Sequence, residues 1–470
     1  MLTHSDPITA LSALELMERI QQRQISCVEV MQAYLAVMEE LNPHHQAIVA
    51  RVNSEQLRAQ AAAYDQQFST NAPHRLLYGF PQAPKDLLPA AGIAFTRGSP
   101  VLANNVPTED AELLARLRQQ GAIFVGKTNV PEFGLGCHTY NPVYGITRNA
   151  IWPELSAAGS SGGTAVAVAT HMLPVADGSD MMGSLRAPAA FNGIYGLRPS
   201  PNLIPDSPVT SANRPTLAVN GPMARSIPDL ALMLAVMADF PSQLPFIRAP
   251  KADHFISPLQ RDFTGTTLAW LGDLNGRLPM EDGMLDSCLG HLQRLEDAGC
   301  EIINWVPEFD YDALWQAWID LRSTVFFEAN QDLLMSAENF NQIKPKAQWE
   351  FTRGRQMTAE RLQQALATHT RWQQTLKQAF SRVSFMAMPA CQVFPFPAQW
   401  DWPKTIAGHN MDTYHRWMEN MLPASMGGLP TLAVPAGDAA TDQGSGLQFM
   451  AAPGQDLAVL QLGYTYQQSI

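Results

Sequence analysis

The spacing of apolar residues along the chain indicates two kinds of structural element. Over residues 10–66 apolar positions recur at helical intervals, with Leu11, Leu14 and Met17 on one face. Pro43 and the two histidines after it are expected to divide this stretch into separate helices. Farther along, short apolar runs bounded by Gly and Pro each predict a buried strand. The clearest of these runs begin at Ala122, Leu173, Leu268, Phe385 and Leu432.

Helical patterns lie between these strands, at 111–120, 165–172, 228–238, 284–298 and 457–467. Alternating strands and helices predict an α/β domain whose sheet is covered by helices on both faces. Residues 308–380 are mostly helical and rich in Trp, Gln and Arg, and we expect them to pack on the sheet as a helical elaboration. Because no repeat, low-complexity segment or flexible linker divides the chain, we predict one large domain over residues 1–470 with a helical insertion.

Composition argues against several classes of partner. Of the 470 residues 46% are hydrophobic and 16% charged, which is typical of a packed globular protein. The formal charge of −12, with no basic stripe, disfavours nucleic acid and anionic membrane as partners. No apolar run approaches the ~18 residues needed to span a bilayer, and the first residues lack the pattern of a signal peptide. Five scattered cysteines favour free thiols, so a cytoplasmic location is expected.

Two glycine-rich segments contain serines that could carry chemistry. The first, 158–164, precedes a helix of small residues, and its glycines let the backbone approach a ligand closely. A tight loop without a catalytic role is an equally good explanation of this segment. The second, 177–188, follows a strand and places Ser184 after a glycine, where backbone N–H groups could collect an oxyanion. A structural turn braced by an Asp180–Arg186 pair is its alternative.

A third segment, 79–86, places Lys85 among Gly, Pro and apolar residues. Burial there would lower the pKa of the lysine and leave neutral amine to act as a base. The alternative is that Lys85 is a solvated surface residue, as most lysines are. None of the eleven histidines has a comparably distinctive setting, so lysine is the better candidate for activating a serine.

Together these three segments resemble the amidase signature family. The family pattern is a Lys-Asp after Gly-x-Pro, then G-G-S-S-G-G, then G-S/T-D-x-x-G-S-x-R-x-P-A, and this chain matches it at 85–86, 159–163 and 178–189. The spacing is also kept, with 75 residues from Lys85 to Ser160 and 24 from Ser160 to Ser184. The resemblance implies an amide hydrolase built on a central mixed sheet, without metal or cofactor. Its parts would be N-terminal helices at 8–68, a signature core at 75–240, the helical elaboration and a C-terminal core at 381–470.

The resemblance also implies a role for each residue of a catalytic relay. Ser184 would attack the carbonyl carbon, Ser160 would sit in a cis peptide and pass protons, and Lys85 would be the final base. The backbone N–H groups that form the oxyanion hole would be those of Met181, Met182, Gly183 and Ser184. This chain departs from the family at Met182, where glycine is commonest, so we expect the enzyme to differ from its relatives at this turn.

Further residues are implied as supporting or substrate-binding. Ser161, Asp180 and Arg186 would support the site through hydrogen bonds. The loop Gly134, Leu135, Gly136, Cys137 and His138 would lie near the substrate. Cys137 beside His138 resembles a thiol nucleophile with its base, but adjacent residues seldom face each other productively, so we interpret it as a pocket-lining or structural cysteine.

Three alternatives to a free-standing amidase are open. Gly121–Thr128 fits the phosphate-loop expression G-x-x-x-x-G-K-S/T, which would make the chain a nucleotide-binding protein. However, the loop needs a flexible turn where 122–125 predicts a strand, and Pro131 discourages the helix that should follow. The chain could instead be the A subunit of a glutamine-dependent tRNA amidotransferase, although the segment 202–222 is more like free-standing amidases. An inactive scaffold is disfavoured because all three relay residues are present.

The sequence leaves the substrate open beyond a small-molecule amide. Trp, Phe and Met residues in 308–380 and 400–421 favour an apolar or aromatic acyl group, although most of them are expected to be core. Oligomeric state is equally open, a homodimer included.

Overall fold

The computed structural model describes residues 6–68, 75–204, 215–238, 254–256, 258–436 and 444–469. Fourteen α-helices lie within these ranges. In chain order, α1 to α14 are Ala13–Gln21, Cys27–His45, Ser54–Gln67, Glu112–Gln119, Gly162–Ala169, Arg186–Phe191, Ile227–Ala238, Met284–Asp297, Tyr311–Leu334, Ala337–Gln342, Pro345–Arg355, Ala359–Ala379, Leu422–Gly427 and Asp456–Gln468.

Sixteen strands lie in the same described ranges. In chain order, β1 to β16 are Ile48–Val49, Pro81–Gln82, Ile123–Phe124, Lys127–Thr128, Tyr140–Asn141, Gly145–Ile146, Val175–Asp180, Tyr195–Arg198, Val219–Ala224, Thr267–Trp270, Glu301–Asn304, Phe385–Pro389, Thr405–Ile406, His409–Asn410, Thr431–Pro435 and Gly446–Ala451.

Eight of these strands form the central sheet, in the order β11-β10-β12-β16-β15-β8-β9-β7. β10 runs parallel to β11 and β12, whereas the other neighbouring pairs run antiparallel. The predicted mixed sheet is therefore confirmed. Four of the five apolar runs singled out in the sequence became strands of this sheet, and they are almost entirely buried. The fifth, at Ala122, formed β3 and pairs with β2 outside it.

Helices cover both faces of the sheet, as the alternation of elements predicted. α5 contacts β7, α6 contacts β8, and the two helices contact each other. α7 and α14 form a second group, packed on each other and on β9 and β15. Every residue of α7 after Pro228 is buried, because this helix is apolar on nearly all sides.

Four helices, α9 to α12, lie within the stretch 308–380. α9 is the longest, and it packs against α11 and α12. Trp318 on α9 and Trp372 on α12 are fully buried. Phe326 of α9 belongs to a small apolar cluster with Phe133 and Leu135 from a loop of the signature region. This contact is what brings α9 to the site described below.

The expected break at Pro43 is wrong in detail. α2 continues through Pro43, which is exposed in the last turn of the helix, and ends at His45. The chain leaves the helix at Gln46, which has a φ of +51°, and Asn42 Oδ1 accepts hydrogen bonds from the N–H groups of Ala47 and Ile48. His45, the last residue of the helix, is buried.

Two further observations concern the molecule as a whole. Searched over the residues described, the chain has no helix that is both long and apolar enough to cross a membrane. All five cysteines are free and buried, which agrees with the prediction of unpaired thiols.

Candidate active site

Three loop segments bring together the residues that the sequence singled out. Lys85 follows β2 and forms a bridge with Thr128 of β4. Ser160 and Ser161 come just before α5, and Ser184 lies between β7 and α6. The N–H of Ser161 donates a hydrogen bond to the carbonyl of Ser184 at 3.2 Å, which ties two of the segments together.

The amine of Lys85 is buried among four oxygen atoms. Its Nζ lies 2.9 Å from Ser160 Oγ and 2.7 Å from Ser161 Oγ. The carbonyl and the hydroxyl of Ser179 lie 3.1 and 3.0 Å away. An ammonium has three N–H donors and no acceptor, whereas a neutral amine can accept a proton from one of these hydroxyls. The surroundings therefore suit an amine that exchanges protons with serine.

Burial lowers the pKa of Lys85 to about 7, because only 1% of the residue is exposed and the charged form loses its hydration. The carboxylates of Asp180 and Asp177 oppose this shift and keep it from going further. A neutral amine is thus well populated at neutral pH, as a base at this position requires.

Ser160 follows a cis peptide bond, Gly159–Ser160, which agrees with what the resemblance implied. Ser160 and Ser184 are 3% and 8% exposed, and both line one cavity. Ser184 Oγ makes no hydrogen bond to any residue that the structure describes, so it is free to approach a ligand in that cavity.

The turn from Met181 to Ser184 offers backbone donors to the same cavity. In the described part of the chain the N–H groups of Met181, Met182 and Ser184 donate no hydrogen bond. Gly183 differs from the expectation, because its N–H donates to Asp180 Oδ1 at 2.8 Å. Three backbone N–H groups of this turn are therefore free, rather than the four expected.

Met182 fits the turn without backbone strain. Its φ is not positive, unlike that of Gly183, which is +89°. A glycine is therefore required at Gly183 and not at Met182, so the departure from the family pattern leaves the backbone donors in place. The Met182 side chain is 1% exposed and forms part of the cavity wall.

Asp180 anchors this turn through a buried network. Its Oδ2 accepts from the N–H of Leu185 at 3.1 Å and from Arg186 Nε at 3.0 Å. Arg198 Nη1 donates to the carbonyl of Asp180 and lies 3.4 Å from its Oδ1. Burial alone would raise the pKa of Asp180, but the charges of Arg186 and Arg198 hold it well below its usual range. Arg198 was not singled out by the sequence analysis.

The cavity has a volume of about 160 Å³, and its walls are mostly apolar. Met181, Met182 and Met418 line it, as do Ser160 and Ser184. Further apolar side chains come from the signature region and from α9, namely Leu87, Phe133, Leu135, Val325 and Phe326.

Only part of the loop that was expected near the substrate lines the cavity. Gly134, Leu135 and Gly136 line the cavity, whereas Cys137 and His138 do not and lie behind it. Cys137 Sγ donates to the Gly159 carbonyl at 2.6 Å, and burial raises the pKa of its thiol to about 12. Burial also lowers the pKa of His138 to about 4. A reactive thiolate with an imidazolium partner is incompatible with these values.

Polar residues on and around α9 were missed by the sequence analysis. Arg322 and Asn330 of α9 line the cavity, together with Arg97 from a loop and Ser179 at the end of β7. Ser179 was within the quoted motif. The two α9 residues lie eight positions apart on one helical face, but core residues of a helix have the same spacing, so it was not a distinctive signal.

The phosphate-loop alternative does not survive the geometry. Gly121–Thr128 contributes β3 and β4 rather than a turn before a helix. Lys127 is fully buried, and its Nζ donates to the Leu88 carbonyl at 2.5 Å. Thr128 Oγ1 and Thr164 Oγ1 share a hydrogen bond of 2.7 Å. Neither side chain is available to a phosphate.

Comparison with known proteins decides the family. The family model described as Amidase matches residues 29–460. This chain belongs to the amidase signature family. The family, together with the relatives below, makes the protein a hydrolase of carbon–nitrogen amide bonds.

Relatives of this amidase are similar over most of its length. An acylamidase of Rhodococcus erythropolis is 28% identical over 97% of this chain and 95% of its own. An indoleacetamide hydrolase of Bradyrhizobium diazoefficiens is 32% identical over 73% of this chain and 66% of its own. The structure of a bacterial aryl acylamidase superposes with a TM-score of 0.90, covering 99% and 97% of the two chains at 23% identity.

Glutamyl-tRNA(Gln) amidotransferase A subunits match this amidase over a smaller part. The subunit of Thermus thermophilus is 39% identical, but the match spans 48% of this chain and 46% of the subunit. The segment 202–222, which favoured a free-standing amidase, is described only in part, since residues 205–214 lie outside the described ranges.

Proposed function

We propose that this amidase cleaves its substrate through a relay of Ser184, Ser160 and Lys85, by way of an acyl-enzyme. The observation that carries the proposal is the buried amine of Lys85, 2.9 Å from Ser160 Oγ, beside a cavity that Ser160 and Ser184 both line. A base with a lowered pKa within hydrogen-bond reach of a serine is what activation of a hydroxyl nucleophile requires.

The first half of the reaction forms the acyl-enzyme. Ser184 Oγ attacks the amide carbonyl carbon while its proton passes to Ser160 Oγ, and the proton of Ser160 passes to Lys85 Nζ. The resulting oxyanion is held by the free N–H groups of Met181, Met182 and Ser184. The C–N bond then breaks, and the proton on Lys85 returns through Ser160 to the departing nitrogen.

The second half releases the acid. Water attacks the acyl carbon as the same relay takes its proton to Lys85. The second tetrahedral intermediate collapses, Ser184 Oγ leaves, and it recovers its proton through Ser160. The relay is then in its starting state, so one set of residues serves as base and acid in both halves.

The shape and walls of the cavity support an apolar acyl group. A cavity of about 160 Å³ is close to the ~150 Å³ of an engineered apolar cavity that holds benzene. Methionine side chains beside the relay adapt to irregular shapes and contact aromatic rings favourably. We therefore favour small-molecule amides with an acyl group of about one aromatic ring or a short alkyl chain. The absence of nucleic-acid and membrane partners, the cytoplasmic location and the homodimer stay predictions.

The relay is tested by removing its two ends. In Ser184→Ala we expect amide turnover to fall by roughly 10⁴-fold or more, because the nucleophile is lost. In Lys85→Met we expect a fall of roughly 10²–10⁴-fold, because proton transfer is lost. Amine release from an anilide and mass spectrometry of an acylated Ser184 peptide measure these effects.

Lys127→Met provides the matched control, because Lys127 is an equally buried lysine that does not contact Ser160. It should keep most of the turnover of each folded molecule. Unchanged turnover in Ser184→Ala would overturn the nucleophile, and equal losses in Lys85→Met and Lys127→Met would overturn the base.

A further inference from the structure

The cavity extends along α9 from the relay to a second polar site. Arg322, Val325, Phe326, Ala329 and Asn330 of α9 all line it, and their spacing is that of one helical face. Because a helix rises 1.5 Å per residue, Arg322 and Asn330 are about 12 Å apart along its axis. Arg322 and Asn330 therefore lie at different positions along the cavity wall.

Arg322 marks the end next to the relay. Its Nη1 lies 3.3 Å from Sδ of Met181, in the turn that precedes Ser184. The charge of Arg322 is already neutralised, since its Nε donates to Glu350 Oε1 at 2.6 Å. Asn330 marks the other end, where its Oδ1 accepts a hydrogen bond from Arg97 Nη1 at 2.8 Å.

Arg97 has no dedicated counter-ion. Among the residues that the structure describes, no carboxylate lies within 4 Å of its guanidinium, which is instead stacked 4.9 Å from the centroid of the Phe133 ring. The carboxylate of Asp86 acts on it from farther away, and Thr96 already binds one oxygen of that group at 2.7 Å. Arg97 is half-buried on the wall of this mostly apolar cavity, so its guanidinium can pair with an anion that a ligand supplies.

The backbone of Arg97 is in the left-handed region, which residues other than glycine rarely adopt. Its φ is +51° and that of Phe133 is +55°, and the Phe133 N–H donates to the Arg97 carbonyl at 2.8 Å. Left-handed non-glycine residues concentrate at functional sites, where the surroundings enforce them. Both of these residues line the cavity, which points to binding as the reason.

We propose that Arg97, positioned by Asn330, binds a carboxylate at the far end of the acyl group. The preferred substrates are then monoamides of dicarboxylic acids, whose apolar chain lies along Val325 and Phe326. A guanidinium binds a carboxylate through two parallel hydrogen bonds, which fixes the orientation of the chain. This inference rests on the proposed function, because it places the amide carbonyl at Ser184.

Matched pairs of amides test the proposal. Adipamic, suberamic and sebacamic acids are compared with hexanamide, octanamide and decanamide, which have the same chain lengths without the terminal carboxylate. The wild-type enzyme should have a higher kcat/KM for the acid of at least one pair. In Arg97→Gln the ratio of kcat/KM between acid and neutral amide should fall roughly 10- to 100-fold, as expected for a lost charge-assisted hydrogen bond. Arg97→Lys, which keeps the charge, should restore part of the ratio.

Three outcomes would overturn the proposal. One is a wild-type enzyme with no preference for the acid in any pair. Another is Arg97→Gln lowering both members of each pair equally, which would make Arg97 merely structural. The third is a preference for N-hexanoylglycine over N-hexanoyl ethylamine with none for the dicarboxylic monoamides, which would place the carboxylate on the amine side. Failure of the relay is distinct, because Ser184→Ala would then leave turnover of both members unchanged.

Discussion

At the scale of single residues, the site depends on the protonation of one amine. Lys85 is buried, and burial brings its pKa to about 7 although an exposed lysine titrates near 10.5. Asp180 and Asp177 are close enough to favour its charged form, but their effect is smaller than that of burial. The same fold that hides Lys85 from water therefore leaves much of it neutral near pH 7, as the proposed base must be.

The pH dependence of turnover follows from this residue. A base must be neutral, so kcat/KM for a neutral amide should rise about tenfold per pH unit below pH 7 and level off above it. A pH profile from 5 to 9 in buffers of constant ionic strength measures this, with substrate stability checked at each pH. A profile that is flat over the range, or one that falls through pH 7, would contradict a neutral lysine as base.

At the scale of elements, the turn between β7 and α6 combines a rigid anchor with an adaptable wall. Asp180 and Arg186 fix its backbone, and Gly183 provides the one left-handed position in it. Met182 contributes its side chain instead of a special backbone conformation. The family's usual glycine is thus replaced by a residue that narrows the cavity while the donors stay in place.

The variant Met182→Gly separates these two contributions. Loss of a buried methionine side chain should lower the free energy of unfolding by about 2–5 kcal/mol, and added backbone freedom should cost about 0.5–1 kcal/mol more. The wider cavity should raise the kcat/KM of bulky acyl amides relative to acetamide. Urea unfolding and a series of acyl amides measure both effects.

Met182→Leu is the control for this variant, because it conserves volume and should cost less than about 1.5 kcal/mol. An unchanged acyl preference in Met182→Gly would show that Met182 does not shape the pocket.

Much of this site could be predicted from motifs, for a physical reason. Lys85, Ser160 and Ser184 lie in glycine-rich turns whose backbone demands leave a visible pattern in the sequence. Arg322 and Asn330 leave no such pattern, because a polar residue on a mostly buried helix has the same spacing as core. His138 is the opposite case. It was expected near the substrate, but it is a buried histidine that does not line the cavity.

At the scale of the whole molecule, the order of strands joins distant parts of the chain. β15 and β16 come last in sequence, yet they lie between β12 and β8 in the middle of the sheet. β7, the strand before the turn that holds Ser184, is at one edge. The fold class could be predicted from alternating elements, but this order could not, because it depends on long-range pairing that local sequence does not encode.

Truncation tests whether the two halves of the sheet can fold without a strand that joins them. A chain ending after residue 436 lacks β16 and α14, so β12 and β15 lose a shared neighbour. We expect it to have no amidase activity and no single cooperative unfolding transition by circular dichroism. A chain ending at residue 468 is the control and should behave as the full protein does. Activity in the shorter chain would mean that the β7 half folds and works alone.

The strand order also has a consequence for synthesis on the ribosome. Lys85, Ser160 and Ser184 leave the exit tunnel long before the strands that close the sheet are made. The two outer parts of the sheet therefore stay unjoined until β15 and β16 have been translated. We therefore expect hydrolytic activity only after β16 has left the ribosome, and until then the exposed edges of β12 and β8 are where chaperones would be needed most.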